Sequence, residues 1–127
     1  MTTDDVKIIS FSNQSKQDKI LLKKFVDFHW QHYENDPQFV PLLDWEFLGF
    51  PLIGMVGFFE PKNLFFKHAE MRFFIAEKNG VMVGRCNAFV NHNHNAHWND
   101  KVGFFGQFEA TDDQSVSDAL LAAAEEW

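Results

Sequence analysis

Hydrophobic and polar positions recur regularly along most of the chain, and their spacing predicts a mixed order of strands and helices. The β-branched run Val6–Phe11 predicts a first strand. Apolar residues three and four positions apart predict a helix from about Lys16 to Tyr33, because such positions share one helix face. Ser15 and Asp18 have capping-box spacing at its start, and Asn35-Asp36-Pro37 indicates its end.

The second half of the chain predicts a β-rich unit closed by a helix. Strands are expected at Arg72–Ala76 and Val81–Asn91. They are joined at Lys78-Asn79-Gly80, because Asn and Gly tolerate the positive φ of a tight hairpin turn. A polar loop is expected at His92–Asp100 and a third long strand at Lys101–Glu109.

Alternation divides the side chains of the last predicted strand between two faces. One face is expected to carry Val102, Phe104 and Phe108, and the other Phe105, Gln107 and Glu109. Together with Arg85 and Asn87 of the preceding strand, the second set of side chains has two interpretations. It forms either the polar base of a substrate site beside the Phe105 ring, which we call the substrate floor, or a sheet face that the edge of a helix covers. We favour the substrate floor.

The segment Phe39–Lys62 is rich in Phe, Leu and Ile and is interrupted by proline and glycine. A short helix is expected at Leu42–Leu48, with the remainder irregular or briefly helical. A flexible linker would not carry so many large apolar residues, so we expect this segment to form a lid over the core. The Phe residues of Phe47–Phe59 have three alternative roles. They pack in the core, line an acyl groove, or form an exposed apolar surface prone to association.

Composition narrows the class of protein. The chain has 127 residues, of which 46% are hydrophobic and 23% charged, so it is expected to form one globular domain over residues 1–127. Phe accounts for 16 residues, which favours a thick core or an apolar groove. The formal net charge of −7 and the absence of a basic stripe argue against nucleic-acid binding.

Other features of the sequence bear on location. The single cysteine, Cys86, excludes an intramolecular disulfide framework and fits a reducing compartment. Met1–Asp5 is polar and acidic, unlike a secretory signal. The uncharged run Phe47–Phe59 is too short and too rich in glycine to span a bilayer. We therefore expect a cytoplasmic protein without a membrane span.

The histidines do not have the spacing of a metal site. His92, His94 and His97 are loosely spaced among asparagines with no nearby cysteine, so a polar hairpin loop is the preferred interpretation and no metal is expected. His29 and His32 are expected on the surface of the first helix.

A strand that runs into a helix carries the candidate chemistry. Gly103–Glu109 leads into Thr111–Trp127, and a helix N-terminus beside a strand can hold an anion with its free amides. The alternative is a plain amphipathic helix capped by Asp112 or Asp113. Two acidic residues at the helix N-terminus would repel a pyrophosphate group. Electrostatics alone therefore favours the plain capped helix.

Several motifs occur in one order and resemble a family. They are Asn35-Asp36-Pro37, Phe65-Phe66-Lys67-His68-Ala69-Glu70, Val83-Gly84-Arg85, Asn91-His92-Asn93-His94-Asn95, Val102-Gly103-Phe104-Phe105-Gly106 and the acidic turn at Asp112. Together they resemble an uncharacterised bacterial subgroup of the GNAT superfamily of acyl-CoA N-acyltransferases. Ala119-Leu120-Leu121 matches the end of the family's pyrophosphate motif. Asp113, Ser115 and Ser117 stand where that motif has glycines, and Asp112 where it has a basic residue.

The resemblance implies an α/β (α+β) fold with a mainly antiparallel sheet of about four strands and flanking helices. It also implies that this chain is the N-terminal half of the acyltransferase domain, with the fifth strand and the usual tyrosine acid lying further on; Tyr33 does not match that tyrosine. The acidic helix end Glu125-Glu126-Trp127 agrees with an incomplete domain.

The resemblance further implies the reaction: acyl transfer from acetyl-CoA or another acyl-CoA, as co-substrate, to an amine. Glu109 is the candidate general base, directly or through water, the alternative being a solvated carboxylate at a strand end. Candidate coenzyme-binding positions are Phe108, Ala110, Gln114, Ser115, Val116 and Ser117.

Two classes of function follow. The first is an acyl-CoA-dependent N-acyltransferase, which in this form can be inactive. The second is a non-enzymatic binding or self-association module that uses a Phe-rich apolar surface, with a homodimer as its simplest form.

Overall fold

A computed structural model describes residues 5–127, so the expectation for Met1–Asp5 lies outside the described residues except at Asp5. The strands form one antiparallel sheet in the order β1-β2-β3-β4. The strands are β1 (Lys7–Phe11), β2 (Ala69–Lys78), β3 (Val81–Asn91) and β4 (Phe104–Ala110). The mixed α/β class with a four-stranded antiparallel sheet is confirmed.

Helices pack on both faces of the sheet. The α-helices are α1 (Lys16–His32), α2 (Asp44–Leu48), α3 (His92–Trp98) and α4 (Gln114–Glu126). Two short 3-10 turns, Pro51–Ile53 and Leu64–Lys67, interrupt the segment between α2 and β2. Because α1 contributes to one buried apolar cluster and α4 to another, the sheet separates two cores.

The capping box at the start of α1 is confirmed. Ser15 Oγ accepts a hydrogen bond from the amide of Asp18 at 3.0 Å, and Asp18 Oδ2 accepts one from the amide of Ser15 at 3.0 Å. Two amides that the helix leaves free are thereby satisfied. The helix ends with Tyr33 as its C-cap, as the sequence predicts.

The core on the α1 side is built from aromatic rings. Phe25 and Phe73 are fully buried and meet edge-to-face, with ring centroids 5.3 Å apart. Phe47 and Phe59 complete this core, so the expected lid does cover it with two of its rings. The lid's aliphatic residues were expected to do the same, but Leu52 and Val40 are each 88% exposed. Leu52 lies in the short 3-10 turn Pro51–Ile53, and Val40 lies on irregular backbone before α2.

The core on the α4 side depends on close approach of the helix to β3. Val116 and Leu120 are fully buried against small residues of the sheet. A Cβ atom placed on Gly84 would lie 2.9 Å from Leu120 Cδ1 and from Val116 Cγ1. Glycine at this position therefore sets the distance between α4 and the sheet.

Asn79 and Gly80 form the predicted hairpin turn, with φ of 51° and 75°. The prediction of a polar loop at His92–Asp100 is wrong, because α3 occupies most of it. The Asn91 side chain accepts a hydrogen bond from the amide of His94 at 3.2 Å, and Asn99 closes the helix in the left-handed conformation. Asparagines that indicate a loop by composition act here as caps at both helix ends.

No helix within residues 5–127 combines the length and the apolar character that crossing a bilayer requires.

Replacing Gly84 by alanine should destabilise the protein, because the new methyl group meets Leu120 and Val116 below normal contact distance. We expect a loss of about 1–3 kcal/mol in the free energy of unfolding, measured by urea denaturation. The matched control is Gly103→Ala, whose Cβ would find its nearest neighbour at an ordinary 3.6 Å. Equal stability of the two variants would contradict the proposed packing of α4.

Candidate active site

A β-bulge in β4 decides which side chains share a face. Arg85 pairs with Glu109 and Asn87 pairs with Gly106, so two residues of β4, Gln107 and Phe108, stand opposite one residue of β3. Gln107 has a φ of 51°, in the left-handed region that non-glycine residues rarely adopt. The extra residue shifts the alternation of β4 side chains by one position. Residues before and after the bulge therefore do not follow the strict two-face alternation expected from the sequence.

The predicted division of the β4 side chains between two faces is therefore wrong. Phe105 lies opposite Ala88, and Phe108 packs with the α4 core. Glu109 lies opposite Arg85, whose side chain points to α1. The substrate floor predicted from alternation thus loses the Phe105 ring, while Arg85, Asn87 and Glu109 stay together on the α1 face.

Arg85 connects the bulge to the middle of α1. Its Nε donates to the carbonyl oxygen of Gln107 at 3.1 Å, and its Nη1 donates to those of Phe25 at 2.7 Å and Val26 at 3.2 Å. The side chain is buried, and its guanidinium carbon lies 5.2 Å from the centroid of the Phe25 ring. Burial lowers the pKa of Arg85, while the nearby Glu109 opposes that effect.

Glu109 meets the end of α1 through its carboxylate. The Tyr33 hydroxyl donates a hydrogen bond to Glu109 Oε2 at 2.5 Å, and His32 Nε2 lies 3.7 Å from the same oxygen. The Glu109 side chain is 25% exposed. Within residues 5–127, no hydrogen bond reaches its second oxygen, Oε1. A carboxylate with one oxygen held and the other free can accept a proton from a bound molecule.

The histidines of α1 are less exposed than the sequence implied. His29 was expected on the helix surface but is 3% exposed, because α2 and Phe39 cover it. Burial lowers its pKa, and the positive charge of Arg85 adds to that effect. His32 is half-buried and its ring stacks on Phe28, with centroids 5.2 Å apart. A helix-surface assignment is therefore wrong for His29.

Asn87 lies further along the same face of β3. It is 2% exposed, its Nδ2 contacts Met71 Sδ at 3.4 Å, and its Oδ1 has no hydrogen-bond partner. A Cβ on Gly106 would come within 3.3 Å of Oδ1, so the β4 backbone covers this oxygen. Asn87 is thus enclosed and does not line an open floor.

Asp113 occupies the N-terminus of α4, the second half of the predicted site. Its Oδ1 accepts from the amide of Ser115 at 3.0 Å, and its carbonyl oxygen accepts from the amides of Val116 at 3.0 Å and Ser117 at 3.4 Å. Its Oδ2 pairs with Lys78 Nζ at 2.5 Å. The hydrogen bonds of its carboxylate to Lys78 and Ser115 hold the pKa of Asp113 at about 2, with the Lys78 contribution the largest. An anion at this end of α4 would have to displace Asp113.

The six predicted coenzyme-binding positions lie around this junction. Phe108 and Ala110 pack against α4, and Val116 is fully buried, so only their backbone groups could reach a ligand. Gln114 and Ser115 are exposed and Ser117 is half-buried. Glu109 lies on the opposite face of the sheet from α4. The role of all six positions remains a prediction.

Two of the four remaining histidines have carboxylate neighbours of their own. His92 Nε2 lies 2.7 Å from Glu70 Oε2, and His94 Nε2 lies 3.5 Å from Asp100 Oδ2. Within the described part of the chain, no group of three histidine, cysteine, aspartate or glutamate side chains is arranged to hold a metal ion.

The chain is similar to two known bacterial proteins. It is 32% identical over 106 residues to Protein YghO of Escherichia coli (strain K12), which covers 84% of this chain and 25% of that protein. It is 38% identical over 66 residues to Bacterial ceramide synthase of Caulobacter vibrioides (strain NA1000 / CB15N), which covers 51% of this chain and 17% of that protein. The similarity thus spans a quarter or less of either relative's length. No family model and no solved structure matches the chain.

The pair of Asp113 and Lys78 should make stability depend on acid pH. Because the pKa of Asp113 is lowered from 3.8 to about 2, its contribution is complete above the ordinary value and is lost as pH falls towards 2. Asp113→Asn should therefore unfold at a lower temperature than the wild type near neutral pH, and the gap should close in acid. Thermal unfolding followed by circular dichroism measures this. The exposed neighbour variant Asp112→Asn is the control, and an equal pH-dependent gap there would contradict the assignment.

Proposed function

We propose that this chain carries part of the active site of an N-acyltransferase that moves an acyl group from a coenzyme A thioester to an amine, with Glu109 as general base. The observation that carries the proposal is the half-buried Glu109 carboxylate, held through Oε2 at a β-bulge with Oε1 free. This arrangement favours a functional carboxylate over the solvated strand-end alternative. Strained backbone beside a titratable group is frequent at active sites.

The reaction needs one proton acceptor and a site for the thioester. Glu109 takes a proton from the amine as its nitrogen attacks the thioester carbonyl carbon and the C–N bond forms. The C–S bond then breaks, coenzyme A leaves as a thiolate, and the proton returns from Glu109 to the sulfur. Amide and thiol are the products, and no oxidant or metal enters the balance.

The outer edge of β4 supports the placement of the thioester. In the described residues β4 is the last strand of the sheet, so alternate backbone groups face away from β3. The resemblance to GNAT enzymes implies that amides near Phe108, Glu109 and Ala110 serve the thioester carbonyl and the pantetheine arm. Amide donors aimed at a developing oxyanion stabilise acyl-transfer transition states.

The name of the Caulobacter relative supports the same type of bond. It is called a ceramide synthase, and a ceramide is an amide of a fatty acid with a long-chain amino alcohol. A long-chain amine is accordingly the acceptor class that the proposal takes first. The proposal also retains the cytoplasmic location expected from the sequence.

The end of α4 sets a condition on the donor. Asp113 and its neighbour Asp112 would repel a pyrophosphate, and Asp113 already satisfies three amides there. Of these three amides, only that of Ser115 is held by the Asp113 side chain, and the other two bond to its backbone carbonyl. Binding of a nucleotide at Gln114–Ser117 therefore requires the Asp113 side chain to move and release the Ser115 amide. Without that movement, only the pantetheine arm that carries the thioester contacts the chain, along β4.

Incubating the purified protein with acetyl-CoA or a long-chain acyl-CoA and a long-chain amine tests the proposal. Release of coenzyme A thiol is followed with a thiol reagent, and the amide by mass spectrometry. The only cysteine, Cys86, is fully buried, and burial raises the pKa of its thiol to about 11, so its background reaction should be slow.

Glu109→Gln should lower kcat by roughly a hundredfold or more, because a general base contributes about that factor. Glu70→Gln is the matched control, since the Glu70 side chain is 69% exposed and, among residues 5–127, pairs only with His92. Full activity of Glu109→Gln would remove Glu109 from the mechanism. Absence of product with every donor would remove the acyltransferase.

A self-association module is the second candidate function, and exposed aromatic residues near β4 favour it. Phe105 is 60% exposed and Trp127 is 46% exposed, and with Leu121 they line a groove of about 510 Å³. An uncovered edge strand with large apolar side chains is a frequent site of strand pairing.

If β4 pairs with a second copy, Phe105→Ser should convert a dimer into a monomer in light scattering. Phe58→Ser is the control, because Phe58 is 53% exposed but belongs to the lid segment. A wild-type protein that remains monomeric at high concentration would exclude this function.

A further inference from the structure

The only tyrosine in the chain lies at the candidate active site. Tyr33 is the C-cap of α1, and Glu109 follows it by 76 positions in β4. The hydrogen bond of 2.5 Å from the Tyr33 hydroxyl to Glu109 Oε2 is therefore a tertiary contact between the end of a helix and the bulged strand. Hydrogen bonds to an ionised carboxylate are shorter and stronger than those between neutral groups.

The surrounding rings fix the position of the Tyr33 ring. It stacks on Phe39, with centroids 4.1 Å apart and planes at 15°. On its other side the His32 ring meets it edge-on at 4.6 Å. A phenol held between two rings loses little further freedom when it forms its hydrogen bond. Tyr33 is thus preorganised to contact the carboxylate.

The charges around the pair leave Tyr33 as its hydrogen-bond donor. The other titratable or charged groups that face it are Arg85 from β3, His29 and His32 from α1, and Asp36 from the turn after α1. The hydrogen bond to Glu109, with burial second, raises the pKa of Tyr33. The phenol therefore keeps its proton through neutral pH and can donate it to Oε2.

We propose that Tyr33 is a positioning residue for Glu109: its hydroxyl occupies Oε2 and leaves Oε1 to face the substrate amine. This role rests on the proposed function. It is a separate assignment from the tyrosine acid implied by the GNAT resemblance, because Tyr33 does not occupy that position. His32 Nε2 lies beside the same oxygen, 3.7 Å from Oε2.

Titration of tyrosinate absorbance tests the contact without any substrate. Because Tyr33 is the only tyrosine, the signal belongs to one residue. Glu109→Gln removes the charge that holds the phenolic proton, so the titration midpoint should move to lower pH. Glu70→Gln should leave the midpoint unchanged. A midpoint that is the same in wild type and Glu109→Gln would overturn the proposal.

The split between kcat and KM in acyl transfer tests the positioning role. Tyr33→Phe keeps the ring that packs on Phe39 and removes only the hydroxyl. We expect kcat to fall roughly ten- to hundredfold, because a base that is no longer held in position removes the proton less efficiently. KM should change little, because the hydroxyl contacts Glu109 and is not proposed to contact the substrate. Circular dichroism establishes that the variant is folded.

The outcomes separate the two proposals. If Tyr33→Phe is folded and retains the kcat of the wild type, Tyr33 does not position Glu109, whatever the titration gives. If the wild type transfers no acyl group, the proposed function fails and the positioning role fails with it. If Glu109→Gln is inactive while the tyrosinate midpoint does not move, the proposed function stands and the role of Tyr33 is overturned.

Discussion

The hydrogen bonds of Arg85 are the constraint on which the candidate active site depends. One guanidinium joins the bulge carbonyl of Gln107 to carbonyl oxygens in the middle of α1. A buried guanidinium costs free energy unless its donors are satisfied, and here backbone carbonyls accept hydrogen bonds from its Nε and Nη1. Within residues 5–127, no salt bridge joins it to a carboxylate. The same bonds hold β4 and α1 at a fixed distance, so that Tyr33 at the helix end can reach Glu109.

The bulge also explains why the predicted site divides into two parts. Glu109 faces α1, whereas the positions predicted to bind coenzyme A lie beside α4 on the other side of the sheet. A bound acyl-CoA that reached both Glu109 and the positions beside α4 would have to cross the outer edge of β4. The Asp113 side chain holds the Ser115 amide and its carbonyl oxygen holds those of Val116 and Ser117, so movement of the side chain frees only the Ser115 amide for a nucleotide. The Glu109 side of the site is already assembled.

Local signals predicted most of the fold. The capping box at Ser15 and the Asn79-Gly80 turn involve residues a few positions apart, and both formed as expected. The bulge could not be predicted, because Gln107 adopts a backbone conformation for which glycine or asparagine is the usual sign. Without the bulge, alternation placed the Phe105 ring on the same face as Glu109, whereas the structure puts them on opposite faces. The contact with Tyr33 spans 76 positions, and no local pattern could indicate it.

The most direct test of this account is a double-mutant cycle on unfolding free energy between Tyr33 and Glu109. Both side chains must lie on the α1 face for them to interact, and the register after the bulge places Glu109 there, opposite Arg85. The account predicts that Tyr33→Phe and Glu109→Gln are non-additive, with a coupling of about 1 kcal/mol in urea denaturation. Additive effects within error would contradict it, because Glu109 would then lie apart from the end of α1.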